Sequence, residues 1–154
     1  MNPGPIQIRH LVFQQASAAD ADIFAALERK SASRIYGPIG TIKDALREIS
    51  ENTLYFIRNG EIIVGTAAYR VRPDNSVYIS CVAIDPAYRR QGIARAAMRY
   101  ILEKTKGARR IDLVTHPENE NALRLYASLG FKVESRLENY FGDGEPRLAL
   151  AKSG

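Results

Sequence analysis

Residues 77–84 read Val-Tyr-Ile-Ser-Cys-Val-Ala-Ile. A run this apolar predicts a central β-strand covered on both faces. Asp85-Pro86 ends it, because proline brings no amide hydrogen to a ladder. A basic turn follows, Ala87-Tyr88-Arg89-Arg90-Gln91, and then a long helix from about Gly92 to Lys106. Its pairs Ile93/Ala94, Ala97/Met98 and Ile101/Leu102 recur every four residues, the spacing of one helical face. Gly107 stops it. A buried strand feeding a helix through a tight turn requires a sheet with helices on its faces, an α/β (α+β) architecture.

The remaining chain divides into short elements without repeats or a domain-splitting linker, so one domain over 1–154 is expected, with its core at 6–151. Ile6, Ile8 and Val12 suggest a first strand. Ser17 with Asp20, and Thr41 with Asp44, each look like a helix entry. The first leads to Ile23, Phe24 and Leu27, and the second to a face of Ile42, Leu46 and Ile49. Gly37-Pro38 breaks the chain between them. Asn59-Gly60 separates two apolar runs and predicts a hairpin with a type I′ turn. Ile111 to Val114 is another short strand. Asn119 to Leu129 is a helix with Ala122, Leu125, Tyr126 and Leu129 inward, closed by Gly130. Phe131, Val133, Ser135 and Leu137 alternate with polar residues, a strand with one wet face. Arg147 to Ala151 forms the last strand. The order is βααβββαβαββ: about seven strands, mixed and mostly antiparallel, with about four helices.

Chemistry concentrates at the turn after residue 84. The first turn of a helix carries unpaired N–H groups and the positive end of the helix dipole. Gly92 and Ala94 are small enough to admit a ligand to the backbone, and Arg89 and Arg90 add charge. Such a turn suits an anion of pyrophosphate type. It also fits a solvated basic turn. Neither a G-x-G-x-x-G fingerprint nor a P-loop is present.

Composition limits the alternatives. Twenty-two basic residues against 17 acidic give a charge of +5, compatible with an anionic ligand. One cysteine and two histidines argue against a disulfide framework or a transition-metal centre, so no metal is expected. No apolar run is long enough to span a bilayer. The N-terminal stretch lacks the pattern of a secretory signal, and a cytoplasmic protein without membrane association is expected. No groove-reading motif supports nucleic-acid binding through Arg89, Arg90, Arg95 and Arg99. A homodimer is among the assemblies the sequence allows.

Two segments together resemble the GNAT N-acetyltransferase superfamily. Arg89-x-x-Gly92-x-Ala94 resembles its [QR]-x-x-G-x-[GA] acyl-CoA motif. Asn119 to Phe131 resembles its N-x-x-A-x-x-[LF]-Y-x-x-x-G-F signature, and the element order is that of its fold. The resemblance spans about residues 6–151. It implies transfer of an acetyl group from acetyl-CoA, the cosubstrate, to a primary amine by direct attack. It further implies that backbone N–H groups around Gln91, Gly92, Ile93, Ala94 and Arg95, with Arg89 and Arg90, hold the phosphates. The backbones of Val82 and Ile84 would pair with the pantetheine arm, and one such amide would face the thioester oxygen. Asn119 would contact the pantetheine, or simply cap its helix. Tyr126 would protonate the leaving thiolate, although its position also fits a buried helix face.

The base departs from the family pattern. Positions that carry glutamate in many relatives are here Tyr78 and Val114. Tyr78 matches a tyrosine of some protein N-terminal acetyltransferases and would order a water. His116 is a second candidate if its strand extends that far, and otherwise a loop histidine. A free α-amine is roughly 10–15% neutral at pH 7, whereas a lysine side chain is neutral in only about one part in 2,500. A weak base therefore favours an α-amine. Glu138-Asn139-Tyr140-Phe141 resembles the N-Y-Y segment of peptide α-amine acetylating relatives and makes Tyr140 and Phe141 substrate-binding candidates. A peptide or protein N-terminus leads as acceptor. The alternatives are a small amine (amino acid, polyamine or antibiotic) and a non-catalytic acyl-CoA-binding regulatory module. The segment from Ala32 to Ile42, which lines the cleft in this family, has no acidic residue and disfavours a polycation. Cys81 reads as a buried inert thiol, Arg99 as a solvated position, and His10 as a surface or strand-edge residue.

Overall fold

The structure, a computed structural model, describes residues 5–36 and 40–154. Gly37-Pro38 lies outside the described residues. Seven strands form one sheet: β1 (Val12–Gln15), β2 (Thr53–Asn59), β3 (Ile62–Val71), β4 (Ser76–Ile84), β5 (Arg110–Thr115), β6 (Lys132–Leu137) and β7 (Arg147–Ser153). Their spatial order is β1-β2-β3-β4-β5-β7-β6. Every neighbouring pair is antiparallel except β4 and β5. Four helices, α1 (Ala21–Ser31), α2 (Ile42–Glu51), α3 (Ile93–Lys104) and α4 (Glu120–Ser128), complete the order βααβββαβαββ expected from the sequence.

Both helix entries form capping boxes. Ser17 N–H donates to Asp20 Oδ2 (2.8 Å), starting a 3-10 turn that runs into α1. Thr41 N–H donates to Asp44 Oδ2 (3.0 Å), and Asp44 N–H returns a bond to Thr41 Oγ1 (3.1 Å). Helices α1 and α2 cover one face, where Phe24, Ala25 and Ala45 pack on Leu54, Phe56 and Ala68. Helix α3 covers the other, where Ala97, Met98 and Ile101 pack on Ile57, Val64, Ala67, Val77 and Ile79. Met98 and Ile101 are fully buried, each stabilising the fold by about 1.5–3 kcal/mol. Tyr126 of α4 and Phe131 join this second cluster.

Four local readings change. The first strand starts only at Val12. Ile8 lies in a 3-10 turn (Ile8–His10) and is half exposed, because Gln91 Oε1 accepts from Ile6 N–H (3.1 Å) and draws the preceding chain toward the α3 turn. In α2 the buried line runs through Ala45, leaving Ile42 and Leu46 exposed; the small Ala45 lets α2 sit close to Phe24 and Leu54. The hairpin pairs Asn59 with Ile62, so only Gly60 takes a positive φ (+62°), not both residues of a type I′ turn. Strand β6 is wet on both sides, with Val133 exposed, because it is an edge strand.

The seam between β4 and β5 positions everything else. They pair only over Ser76–Tyr78 with Arg110–Asp112. There Arg72 clamps Asp112 through two bonds (2.7 and 2.9 Å). Beyond Tyr78 the strands part, and β5 continues with β7 alone. Val77 and Ile79 are therefore covered on both faces as expected, but residues 80–84 are only half-buried.

Candidate active site

Where β4 leaves β5, its backbone is open on one side. Residues 81, 83 and 85 exchange bonds with β3, as the register and the Asp85 N–H to Val64 O bond (2.9 Å) establish. In an antiparallel ladder the alternate residues point the other way. The N–H and C=O of Val82 and Ile84 therefore face the gap. A cavity of about 490 Å³ fills that gap, bordered by Val82, Ile84, the 89–95 turn, Asn119 and Tyr126.

The turn is shaped for an anion. Gly92 caps α3 at φ +84°, and Arg90 is left-handed at φ +66°, a conformation that a side chain adopts at a cost and that clusters at functional sites. No side chain caps the helix. Among the described residues, no main-chain N–H from Arg89 to Arg95 donates within the protein, and the next amide, Ala96, bonds Gly92 O. Arg89 Nε donates to Ile84 O (3.2 Å), and its guanidinium lies 4.4 Å from the centre of the Tyr36 ring. The Gln91 side chain holds Ile6 and leaves its backbone to the turn. Arg95 faces the cavity, whereas Arg99 is exposed.

Asn119 unites its two readings: Oδ1 accepts from Ala122 N–H (3.3 Å) as the α4 cap, and the residue borders the cavity. Tyr126 also does both. It is 8% exposed within the α3 cluster, and its hydroxyl makes no hydrogen bond among the described residues. Burial, with Cys81 and Tyr36 next to it, raises its pKa well above the ordinary phenol value. It stays protonated, as an acid for a thiolate requires.

The other candidates separate. Tyr78 lies at the paired end of β4, off the cavity, with Arg70 and Arg72 over its ring (4.9 and 5.3 Å). Burial first, then the Tyr140 hydroxyl, pushes its pKa up, so the structure brings Tyr78 and Tyr140 together. Phe141 packs edge-on to Tyr140 and under Arg147 rather than on the cavity. His116 sits just past β5 and is 2% exposed. Nδ1 accepts from Glu118 N–H (3.0 Å), so Nε2–H donates to Glu145 Oε1 (2.7 Å). Both ring nitrogens are engaged and β5 ends at Thr115, so His116 takes the alternative reading, a loop histidine. Arg34 bonds Glu145 (2.9 Å) and Glu118, meeting the charge of this His-Glu-Glu cluster. Cys81 is half-buried, with Sγ 3.5 Å from Thr66 Oγ1, and its thiol is pushed up to about 12 by desolvation and then by Glu28 and Glu48. The thiol therefore stays protonated at neutral pH. His10 is exposed on its 3-10 turn.

Sequence reasoning missed Tyr36, Tyr88 and Asn121 on the cavity wall. Tyr36 belongs to no periodic element, so nothing in the pattern marks it.

Comparison with known proteins agrees with this geometry. The Acetyltransferase (GNAT) family matches residues 22–131. The chain is 34% identical over 62 residues to the [Ribosomal protein bS18]-alanine N-acetyltransferase of Escherichia coli (strain K12), covering 39% of this chain and 42% of that protein. It is 41% identical over 69 residues to N-alpha-acetyltransferase 30 of Schizosaccharomyces pombe, covering 44% and 46%. The matched stretch thus spans less than half of either relative. The crystal structure of the ribosomal-protein-S18-alanine N-acetyltransferase from Escherichia coli superposes with a TM-score of 0.79 at 20% identity, over 93% of both chains. No described helix is long and apolar enough to cross a membrane. A parted β4–β5 seam, a left-handed glycine opening α3, and a family match running from α1 through Phe131 lead to one conclusion: the chain belongs to the acetyltransferase (GNAT) family.

Proposed function

We propose that the protein transfers an acetyl group from acetyl-CoA to a primary amine by direct attack, with a peptide or protein N-terminal α-amine as acceptor. The open β4 backbone running into a row of free N–H groups carries the reading. The residues fit the cosubstrate. Free amides from Arg89 to Arg95 match a diphosphate. A side chain at Gly92 would meet only Ile8 at 3.7 Å, so the glycine is required by its φ and by close approach of a ligand rather than by crowding. The main-chain groups of Val82 and Ile84 supply the edge for an amide-bearing arm, in the manner of an added strand.

Acetyl-CoA brings an activated thioester. The chain holds it, offers a backbone amide to the oxygen on which negative charge develops, and donates a proton from Tyr126 to the departing sulfur. Asn119 fixes the mouth of α4 beside it. On the acceptor side, Tyr140 and Tyr78, the latter where β4 still pairs with β5, would hold a peptide backbone. The α-amine acceptor also accords with the relatives, one named an N-alpha-acetyltransferase and the other a ribosomal protein bS18-alanine N-acetyltransferase. The segment between α1 and α2 lacks acids of its own, yet Glu28 Oε2 lies 3.0 Å from where a Gly40 side chain would begin, with Asp44 adjoining. The cleft therefore tolerates a cation better than the sequence alone suggests.

A thiol-release assay with acetyl-CoA against short peptides, polyamines and antibiotics tests the reading. Release with peptides bearing a free N-terminus, lost on blocking it, is the expected result. A melting shift with acetyl-CoA but no release with any amine would favour a binding module instead.

A further inference from the structure

The chain just after α1 is fixed to both lips of the parted seam. Lys30, in the last turn of α1, pairs with Asp85 at the end of β4 (3.6 Å). Arg34 then reaches the β5 side. There its Nη1 donates to Glu118 Oε2, just before α4, and to Glu145 Oε1, just before β7 (2.9 Å). Tyr36 returns to the β4 side, with its ring centre 4.4 Å from the Arg89 guanidinium. Tyr36 N–H donates to Ser33 Oγ (3.1 Å), which holds the residues between them in a tight turn. The turn thus lies as a bar from one lip to the other. Tyr36 borders the cavity of about 490 Å³ and a neighbouring one of about 290 Å³, and it stands where the two meet.

The receiving end of the bar is itself held in place. His116 is buried, and its two ring nitrogens serve the same two loops that Arg34 binds. Nδ1 accepts from Glu118 N–H (3.0 Å), and Nε2–H donates to Glu145 Oε1 (2.7 Å). These bonds set both carboxylates within reach of one arginine nitrogen. The Arg34 side chain is 53% exposed, so core packing does not explain its place. Exposed ion pairs stabilise a fold little, and a catch made of them opens readily. Resting on the acetyl-transfer reading, we propose that Arg34 is a positioning residue that holds Tyr36 as a gate over the acetyl-CoA cavity. Closed, the gate shields the cavity from water. It opens when the Arg34 bridge parts and Tyr36 swings off Arg89, which lets acetyl-CoA in and the product thiol out.

The experiment measures association and dissociation rates of acetyl-CoA on immobilised protein, at about 0.05 M and about 1 M NaCl. It compares the wild type with Arg34→Ala, Arg34→Lys, Tyr36→Ala and the double variant Arg34→Ala/Tyr36→Ala. At low salt Arg34→Ala should raise both rates about 3- to 10-fold, with little change in the melting temperature of the free protein. Damage to the site would instead slow association. Arg34→Lys, which keeps the charge, should recover most of the wild-type behaviour. At high salt the wild type and Arg34→Ala should converge, because screening has already weakened the bridge. Tyr36→Ala should raise both rates, and adding Arg34→Ala to it should change nothing more, since Arg34 acts through Tyr36. Unchanged rates in Arg34→Ala, or a second full increment in the double variant, overturn this inference and leave acetyl-CoA binding intact. Should Arg34→Ala not fold, Glu118→Ala cuts the bridge from the other lip, and unchanged rates there overturn the inference equally. A wild type that binds no acetyl-CoA overturns the transfer reading and this inference with it.

Discussion

Burial acts in the same sense on two kinds of acid, raising both, with different consequences at neutral pH. It locks the Tyr126 phenol in its protonated form and brings Glu28 into the neutral range. Tyr126→Phe keeps the ring in its cluster and removes only the hydroxyl. Turnover is expected to fall at least ~10-fold with little change in acetyl-CoA affinity, checked by steady-state thiol release and a binding isotherm. Glu28 also links pH to stability. Its folded pKa lies above the unfolded value of 4.5. Between about pH 4.5 and 7 the folded state holds a proton that the unfolded chain has lost, so this group's contribution falls as pH rises through that window. Glu28→Gln should therefore melt above the wild type at pH 8 and level with it at pH 4. Tyr126 was legible in the sequence because a whole signature surrounds it. Glu28 was not: beside Arg29 and Lys30 it reads as a solvated helix face, and only the packing of α1 against α2 and β4 buries it.

Among elements, the β3–β4 ladder fixes the open edge. A side chain at Gly65 would begin 2.7 Å from the Ala83 carbonyl oxygen, a backbone atom with nowhere to move. Gly65→Ala is expected to lower the melting temperature by several degrees and to weaken acetyl-CoA binding by displacing Ile84, its register partner. At the start of α3, Gly92→Glu would combine a strained φ with a carboxylate aimed at the phosphates, and a melting shift with acetyl-CoA should disappear. The order of elements was readable because caps, Asn59-Gly60 and the 77–84 run are local signals. The errors fall where neighbours decide. Gln91 reshapes the chain before β1, Ala45 outranks the larger Ile42 and Leu46 because it sits under Phe24, and β6 stays wet because nothing packs on a sheet edge. The parting of β4 from β5 leaves no mark in either strand's composition. Only the pairing of Val82 and Ile84 with a pantetheine arm, which the family resemblance implies, pointed toward it.

Across the whole molecule, the sheet is two ladders joined over Ser76–Tyr78 and the Arg72–Asp112 clamp. A ligand that pairs with Val82 and Ile84 would bridge them. At 100 times Kd it adds about 2.7 kcal/mol to stability. Hydrogen exchange should slow at the Val82 and Ile84 amides on adding acetyl-CoA, while Cys81 and Ala83, already bonded to β3, change little. The unjoined seam has a consequence for evolution and for engineering alike. Mutations that zipped these two ribbons together would gain rungs and heat resistance, and would shut out the substrate. A screen for robustness alone would then select silent proteins, so resistance to heat and turnover must trade against each other along this one slit.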